Sequence, residues 1–198
     1  MMHKKLYLAS NSPRRWALLQ NLGLALLPLA SEIDETAHAN EMAQDYCSRI
    51  AREKNQAAQA VRIRQNLAEY PILTADIMVS IDGEILGKPS HQQQAVEMLK
   101  KLSGRTHQVY TAVCVSANQQ LFECIHSSEV TFKRLSEAEI YAYIATGEPM
   151  DKAGAYGIQA LGGIFIQHLA GSFTGVMGLP IFETVALLKK VNIEVLPS

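Results

Sequence analysis

The stretch Leu6–Arg15, with the sequence LYLASNSPRR, decides the fold class of this 198-residue chain. The apolar run Leu6–Ala9 predicts a short buried strand, and Pro13 opens a helix because proline is best tolerated at the first helical position. Ser12 precedes it as the N-cap, where its hydroxyl is expected to accept a hydrogen bond from the first turn. A strand followed at once by a helix is typical of an α/β protein.

The patterns on either side of this stretch extend the same interpretation. A helix is expected from about Glu41 to about Gln59, with Lys54 in phase with its apolar stripe and therefore able to reach a cleft. A buried strand is expected to end at Asp76, and Asp82-Gly83 predicts a hairpin turn. Two long strands joined near Asn118 follow. Antiparallel pairs among alternating helices and strands indicate a mixed sheet.

Composition places the chain among ordinary globular proteins, with 48% hydrophobic residues and a net charge of −1. The length fits one domain, for which we expect residues 1–198, with two lobes. A near-neutral charge provides no basic field, so a nucleic-acid partner is not expected. No apolar run is long enough for a signal peptide or a membrane span, so we expect a cytoplasmic protein without a membrane partner.

Polar residues of the opening stretch are suited to an anion. A helix N-terminus presents free N–H groups, and Ser10 and Ser12 add hydroxyl donors. Arg14 and Arg15 lie in the first turn, where cations oppose the helix dipole unless an anion compensates them. The alternative, two solvated arginines after an ordinary cap, fits this stretch alone equally well.

Acidic residues elsewhere are suited to a divalent cation. Glu32, Asp34 and Glu35 fall within four positions, and carboxylate oxygens are the donors that Mg²⁺ and Mn²⁺ prefer. An acidic surface loop is the alternative. Asp76, after a buried strand, could bind a metal or act as a general base, or it could simply cap a turn.

The remaining candidates are cations and glycine-rich backbone. Lys88 follows the hairpin and could reach the same edge as Asp76, and Lys152 opens the glycine-rich segment 151–163. Gln159 can both donate and accept, which suits a nucleobase edge. The segment lacks the GK[ST] ending of a Walker loop. Acids, cations and glycine loops together indicate a hydrolase acting on a phosphate ester or a nucleotide.

A series of motifs resembles the Maf family of nucleoside triphosphate pyrophosphatases. In order they are LASNSPRR, EIDET, AREK, TAD, GEILGKP, LSGRTHQVYTAV, VTF, DKAGAYGIQ and GLP, and the resemblance extends to about residue 190. It implies an elongated, two-lobed α/β fold with a strongly bent mixed sheet flanked by helices, similar to inosine triphosphate pyrophosphatase. It also implies cleavage between the α- and β-phosphates, giving nucleoside monophosphate and pyrophosphate, with Mg²⁺ or Mn²⁺ as cofactor.

The resemblance carries roles onto individual residues. Asp76 would be the catalytic general base or metal-organising acid, and Glu35 would bind the metal with it. The residues expected to hold the triphosphate and stabilise the leaving pyrophosphate are Ser10, Ser12, Arg15, Lys54 and Lys88, of which the two lysines count as catalytic. A homodimer and a role in nucleotide-pool housekeeping are implied as well.

Base selection is assigned by the same resemblance. Arg14 and Gln159 match positions that favour the subgroup acting on dTTP and UTP, since the sister subgroup acting on 7-methyl-GTP typically has tryptophan and glutamate there. Ile77 departs from the threonine usual in the pyrimidine subgroup, which could relax selectivity or favour a 5-methyl pyrimidine. The alternatives are a 7-methyl-GTP pyrophosphatase and a nucleotide-binding regulator of septum formation with little catalysis.

Overall fold

The computed structural model describes residues 5–30 and 32–196, in which strands and helices alternate as expected for an α/β protein. The strands are β1 (Lys5–Leu8), β2 (Ala25–Pro28), β3 (Ile72–Ile81), β4 (Glu84–Leu86), β5 (Thr106–Ala117), β6 (Gln120–Phe132) and β7 (Ile166–Ala170). The helices are α1 (Pro13–Asn21), α2 (Ala43–Arg64), α3 (Gln92–Leu102), α4 (Glu137–Ala145), α5 (Phe173–Val176) and α6 (Ile181–Lys190). Three short 3₁₀ turns connect α4 to β7.

The strands form one seven-stranded sheet in the order β2-β1-β3-β5-β6-β7, with β4 added beside β3. β1 runs parallel to β2 and to β3, whereas the remaining pairs are antiparallel. The predicted mixed sheet is therefore confirmed. Both predicted hairpins are present, and their turn residues Asp82-Gly83 and Asn118-Gln119 adopt the positive φ that two-residue hairpin turns require.

An interruption along one edge of β3 positions the site. β1 pairs with β3 only at Ile72 and Leu73, and β4 pairs with it only from Val79 to Ile81. Between them, in the part of the chain that the structure describes, residues 74–78 have no strand on that edge, although β5 pairs along the opposite edge from Ile72 to Ser80. We call residues 74–78 the notch.

Two local predictions are wrong. Asp76 does not end a strand but lies in the middle of β3, because pairing with β5 keeps the backbone extended on both sides of it. The strand that ends there is β1, whose last residues lie beside the notch. Ser12 is the N-cap of α1, but its hydroxyl makes no capping hydrogen bond; its backbone N–H instead donates to Ser10 Oγ at 3.2 Å.

The helices cover the sheet with separate apolar clusters. One joins β3, β5 and β6 to α3 and α4, with Phe132 and Ile140 among its fully buried members. Another joins β1, α1 and α6 around Leu6 and Leu188. The three cysteines, Cys47, Cys114 and Cys124, are free. Within the described ranges, none of the helices is both long and apolar enough to cross a membrane.

His107 makes the stability of this core dependent on pH. Its ring is fully buried, Nε2 lies 2.8 Å from Tyr156 Oη, and burial lowers the pKa of His107 to about 4. Because the unfolded chain binds the proton near pH 6.5, stability is complete above that value and declines as the pH falls towards 4. We expect this residue to remove about 2 kcal/mol of unfolding free energy between pH 7 and pH 5.

Urea unfolding at several pH values tests this expectation. His107→Gln should flatten the decline between pH 7 and pH 5, whereas His38→Gln, at an exposed position, should leave it unchanged. Equal slopes for wild type and His107→Gln would show that the buried imidazole is not the group responsible.

Candidate active site

A polar cavity of about 740 Å³ opens at the notch. Its walls come from the loop after β1, the start of α1, the segment after β2, α2, the notch and the loop after β4. The predicted residues that line it are Ser10, Ser12, Arg14, Arg15, Glu35, Lys54, Asp76, Ile77 and Lys88. Of the candidate residues, Asp34, Lys152 and Gln159 do not line this cavity, whereas those that do are spread along the sequence from Ser10 to Lys88.

Lys54 connects two of the acidic residues that line the cavity, Glu35 and Asp76. Its Nζ lies 2.9 Å from Asp76 Oδ1 and 2.9 Å from Glu35 Oε1. The lysine follows the inward face of α2, so the predicted approach to a cleft is confirmed. One ammonium thus faces two carboxylates, and Arg15 supplies a second positive charge close to Asp76.

Asp76 is 7% exposed, and only one of its carboxylate oxygens is paired. Oδ1 accepts the hydrogen bond from Lys54, whereas Oδ2 is buried and has no hydrogen-bond partner among the described residues. Burial raises the pKa of the Asp76 carboxyl above its ordinary value, although Lys54 and Arg15 act against the rise. A carboxylate with a free oxygen and a raised pKa is suited to accepting a proton.

Arg15 lies in the wall of the polar cavity that the first turn of α1 forms, and it is only 7% exposed. Its Nε donates to the backbone oxygen of Gly178 at 2.8 Å, and its Nη1 donates to Ser10 Oγ at 3.2 Å. Burial lowers the pKa of the guanidinium, and the Asp76 carboxylate opposes this. The interpretation as a solvated arginine is therefore wrong for Arg15. A buried cation in the first turn of α1 leaves its charge available to an anion in the cavity.

The other cations at the cavity are more accessible. Arg14 Nη1 lies 3.8 Å from Asp151 Oδ2, an ion pair that is too long and exposed to hold the guanidinium firmly. Lys88 is exposed after β4 and forms no ion pair with any residue that the structure describes. Lys152 is not among the residues lining the polar cavity; its Nζ donates to Asp151 and to the Glu148 carbonyl.

The acidic segment contributes unequally. Glu32 and Glu35 line the cavity, whereas Asp34 does not and accepts hydrogen bonds from the backbone N–H and hydroxyl of Thr36. Across the described ranges, no group of three or more histidine, cysteine or acidic side chains has an arrangement able to hold a metal by itself. Any cation here would therefore depend on further oxygen ligands beyond Glu35 and Asp76.

A second, mainly apolar pocket of about 380 Å³ adjoins the polar cavity. The two share Arg14, Ile77, Ala153 and Met177. Gln159 lies in this second pocket, so the structure separates it from the other predicted residues. The further lining residues are Val79, Val109, Lys152, Tyr156, Gly157, Ile158, Ala160 and Val176.

Sequence reasoning missed most of this apolar wall. Val79 and Val109 face each other across β3 and β5, and period-two alternation in those strands could have indicated their shared face. Val176 is the last residue of the short helix α5 and Met177 is its C-cap, and this helix was not predicted. Strand β2 was also missed, although the apolar run Leu24–Leu27 after Gly23 was a usable signal.

Comparison with known proteins gives the family. The family model described as "Maf-like protein" matches residues 5–191, which is almost the whole chain. The chain belongs to the Maf family. The family that the sequence motifs predicted is therefore confirmed.

Individual relatives of this Maf chain are similar over nearly their full length. A protein of Pasteurella multocida named "dTTP/UTP pyrophosphatase" is 55% identical, covering 95% of this chain and 96% of the relative. One of Neisseria gonorrhoeae with the same name is 48% identical, with 93% and 92% covered. One of Shigella flexneri, named "Nucleoside triphosphate pyrophosphatase", is 48% identical, with 94% and 93% covered.

A solved structure, that of the Staphylococcus aureus Ham1 protein, also matches this Maf chain. Its TM-score is 0.45 at 14% identity, covering 65% of this chain and 72% of the other. A likeness at that level carries no argument about the site.

Proposed function

We propose that this Maf protein hydrolyses dTTP and UTP to the nucleoside monophosphate and pyrophosphate. The observation that carries the proposal is the position of Asp76, a buried carboxylate with one free oxygen at the notch. A polar cavity with Arg15, Lys54 and Lys88 in its walls lies on that notch, and an apolar pocket adjoins it through Ile77 and Arg14. The names of the relatives, at 48% to 55% identity, support the same reaction.

The two pockets divide a nucleotide between them. The triphosphate occupies the polar cavity, where Ser10, Arg15, Lys54 and Lys88 supply hydroxyl and cationic groups. The base occupies the apolar pocket, where Gln159 presents an amide able to donate and accept. Arg14 and Ile77 border both, so the α-phosphate and sugar lie beside Asp76. Because the α-phosphate is the phosphate nearest Asp76 in this placement, water is expected to attack the α-phosphate and not the γ-phosphate.

The chemical step requires one water and one leaving group. A water molecule attacks the α-phosphorus, and Asp76 Oδ2 accepts its proton. The bond between the α-phosphorus and the oxygen that bridges it to the β-phosphorus then breaks. Pyrophosphate leaves with the electron pair of that bond. Arg15 and the lysines stabilise the negative charge that develops there. Lys54 keeps Asp76 oriented through its hydrogen bond to Oδ1.

A divalent metal, Mg²⁺ or Mn²⁺, is part of the proposal. The Glu35 and Asp76 carboxylates, which share Lys54, are hard oxygen donors of the kind that these ions prefer. Phosphate oxygens of the substrate would complete a ligand set that two carboxylates cannot fill alone. When bound, the ion supplies positive charge to the phosphate oxygens.

The finer points stay predictions. A homodimer, the absence of a nucleic-acid partner, a cytoplasmic location and a single two-lobed domain are expectations from the sequence. So is the effect of Ile77, whose apolar side chain borders the base pocket and could favour a 5-methyl pyrimidine. The alternatives of a 7-methyl-GTP pyrophosphatase and a nucleotide-binding regulator are decided by the same substrate test.

Pyrophosphate release with Mg²⁺ or Mn²⁺ should be measured across dTTP, UTP, CTP, 5-methyl-UTP, GTP and 7-methyl-GTP. We expect dTTP and UTP to be hydrolysed at least about tenfold more efficiently than GTP and 7-methyl-GTP, since a misfit base loses 1–3 kcal/mol of contact. Preference for 7-methyl-GTP would overturn the base assignment. Nucleotide binding without turnover of any triphosphate would favour the regulator.

A further inference from the structure

The outer wall of the apolar pocket is a single loop, residues 157–162, of which four consecutive members line the pocket: Gly157, Ile158, Gln159 and Ala160. Residues 159–161 are exposed, and the end of the loop forms the start of the last 3₁₀ turn, Leu161–Phe165, which leads into β7. A wall built from exposed loop backbone needs a support behind it if it is to hold Gln159 against a base.

Glu148 supplies that support from the 3₁₀ turn after α4. Its Oε2 accepts from the backbone N–H of Leu161 at 3.1 Å, and its Oε1 accepts from that of Gly162 at 3.0 Å. Both oxygens of one carboxylate therefore bind adjacent amides at the far end of the loop. Hydrogen bonds to a charged acceptor are the stronger kind.

Tyr143 of α4 holds the near end of the loop. Its hydroxyl accepts from the backbone N–H of Gly157 at 3.2 Å and donates to Glu148 Oε1 at 2.9 Å. Burial raises the pKa of the Tyr143 phenol, so the hydroxyl keeps the proton that it donates. One tyrosine and one glutamate thus tie residue 157 to residues 161 and 162.

The two ends of the loop and Tyr143 pack so closely that there is no room for a side chain at Gly162 or Gly163. A Cβ on Gly162 would lie 2.6 Å from Tyr143 Oη and 2.7 Å from the Gly157 oxygen, and one on Gly163 would lie 2.7 Å from the Ile158 oxygen. The two ends of the loop therefore approach each other so closely that only glycine fits at residues 162 and 163. The ends cannot separate without breaking the hydrogen bonds to Tyr143 and Glu148. Neither of those side chains lines either pocket.

We infer that Glu148, with Tyr143, is a positioning residue for base selection, fixing the loop that presents Gln159 without touching the nucleotide. The inference rests on the proposed function and adds to it a determinant outside the pocket. It predicts that damage to this support weakens recognition of the base and leaves recognition of the triphosphate intact, because the polar cavity takes no residue from the loop.

Glu148→Gln tests the inference, since glutamine keeps the shape but offers an N–H₂ group to one of the two amides. We expect the KM for dTTP to rise about tenfold with kcat within about threefold, the pattern of lost uniform binding. The ratio of kcat/KM for dTTP over dGTP should fall at least about fivefold. The Ki of inorganic tripolyphosphate, which can occupy only the polar cavity, should stay within about twofold of wild type.

Matched controls come from α4 itself. Tyr143→Phe should give the same pattern in milder form, whereas Tyr141→Phe and Glu137→Gln, at exposed positions, should match wild type. Tyr143→Phe decides the question if Glu148→Gln does not fold. An unchanged dTTP/dGTP ratio, or a tripolyphosphate Ki that rises together with KM, would overturn the inference. A wild type that hydrolyses no triphosphate would instead overturn the proposed function, and the inference with it.

Discussion

Replacing Asp76 with asparagine is expected to lower kcat for dTTP about 10³-fold while changing KM by less than about threefold. Asparagine preserves the shape and can still accept from Lys54 through its oxygen, so the substrate should bind. It cannot accept a proton from water, and with its oxygen on Lys54 it places an NH₂ group where Asp76 Oδ2 is now free and buried. Steady-state pyrophosphate release gives both constants.

Asp82→Asn is the matched control for this substitution. Asp82 occupies a hairpin turn at φ 53°, a conformation that asparagine tolerates well, and its carboxylate forms an ion pair with the exposed Arg105. Its kinetics should equal those of the wild type. An Asp76→Asn variant that keeps more than a tenth of the wild-type kcat would remove Asp76 from the role of proton acceptor.

The second large effect is expected for Lys54→Met, with a loss of about 10²-fold in kcat/KM for dTTP, the magnitude typical of one lost electrostatic contact. Methionine fills a similar volume but leaves the Glu35 and Asp76 carboxylates without their shared ammonium. The uncompensated negative charge then repels the triphosphate, and Asp76 loses the contact that orients it. Both kcat and KM should change.

Two comparisons interpret that loss. Lys54→Arg restores the charge and should recover activity at least partly, whereas Lys100→Met removes an exposed ion pair with Glu137 and should have no effect on turnover. Circular dichroism and thermal unfolding should show that Lys54→Met is folded. If Lys54→Met retained wild-type kcat/KM, the ion-paired lysine would be only a structural contact.

Residue types and order were enough to predict which side chains gather, but not how the sheet arranges them. Asp76, Glu35 and Lys54 were each named from the sequence. In the structure the carboxylates of Asp76 and Glu35 both lie within hydrogen-bond distance of the Lys54 ammonium. Local patterns indicate strand before Asp76 and again up to the Asp82-Gly83 turn, but not that the two form one continuous strand. Nor do they indicate the notch, which exists only because β1 stops and β4 begins on either side of it. That interruption is a property of pairing between distant strands.

Most residues that line the apolar pocket could not be predicted from the sequence, for a related reason. Gln159 was identified, but the wall around it combines single residues from β3, β5 and α5 with one loop. The support behind the loop depends on Tyr143 and Glu148, which local patterns predict only as parts of a helix and its end. Their function becomes visible when the amides of residues 157, 161 and 162 are assigned to their acceptors.

The most direct test of the central claim is the identity of the products that wild-type protein forms from dTTP and Mg²⁺, followed by ³¹P NMR. The placement of Asp76 beside the junction of the two pockets predicts dTMP and pyrophosphate in equal amounts, with no dTDP or inorganic phosphate as primary product. Formation of dTDP and inorganic phosphate, or the absence of any product, would contradict the account.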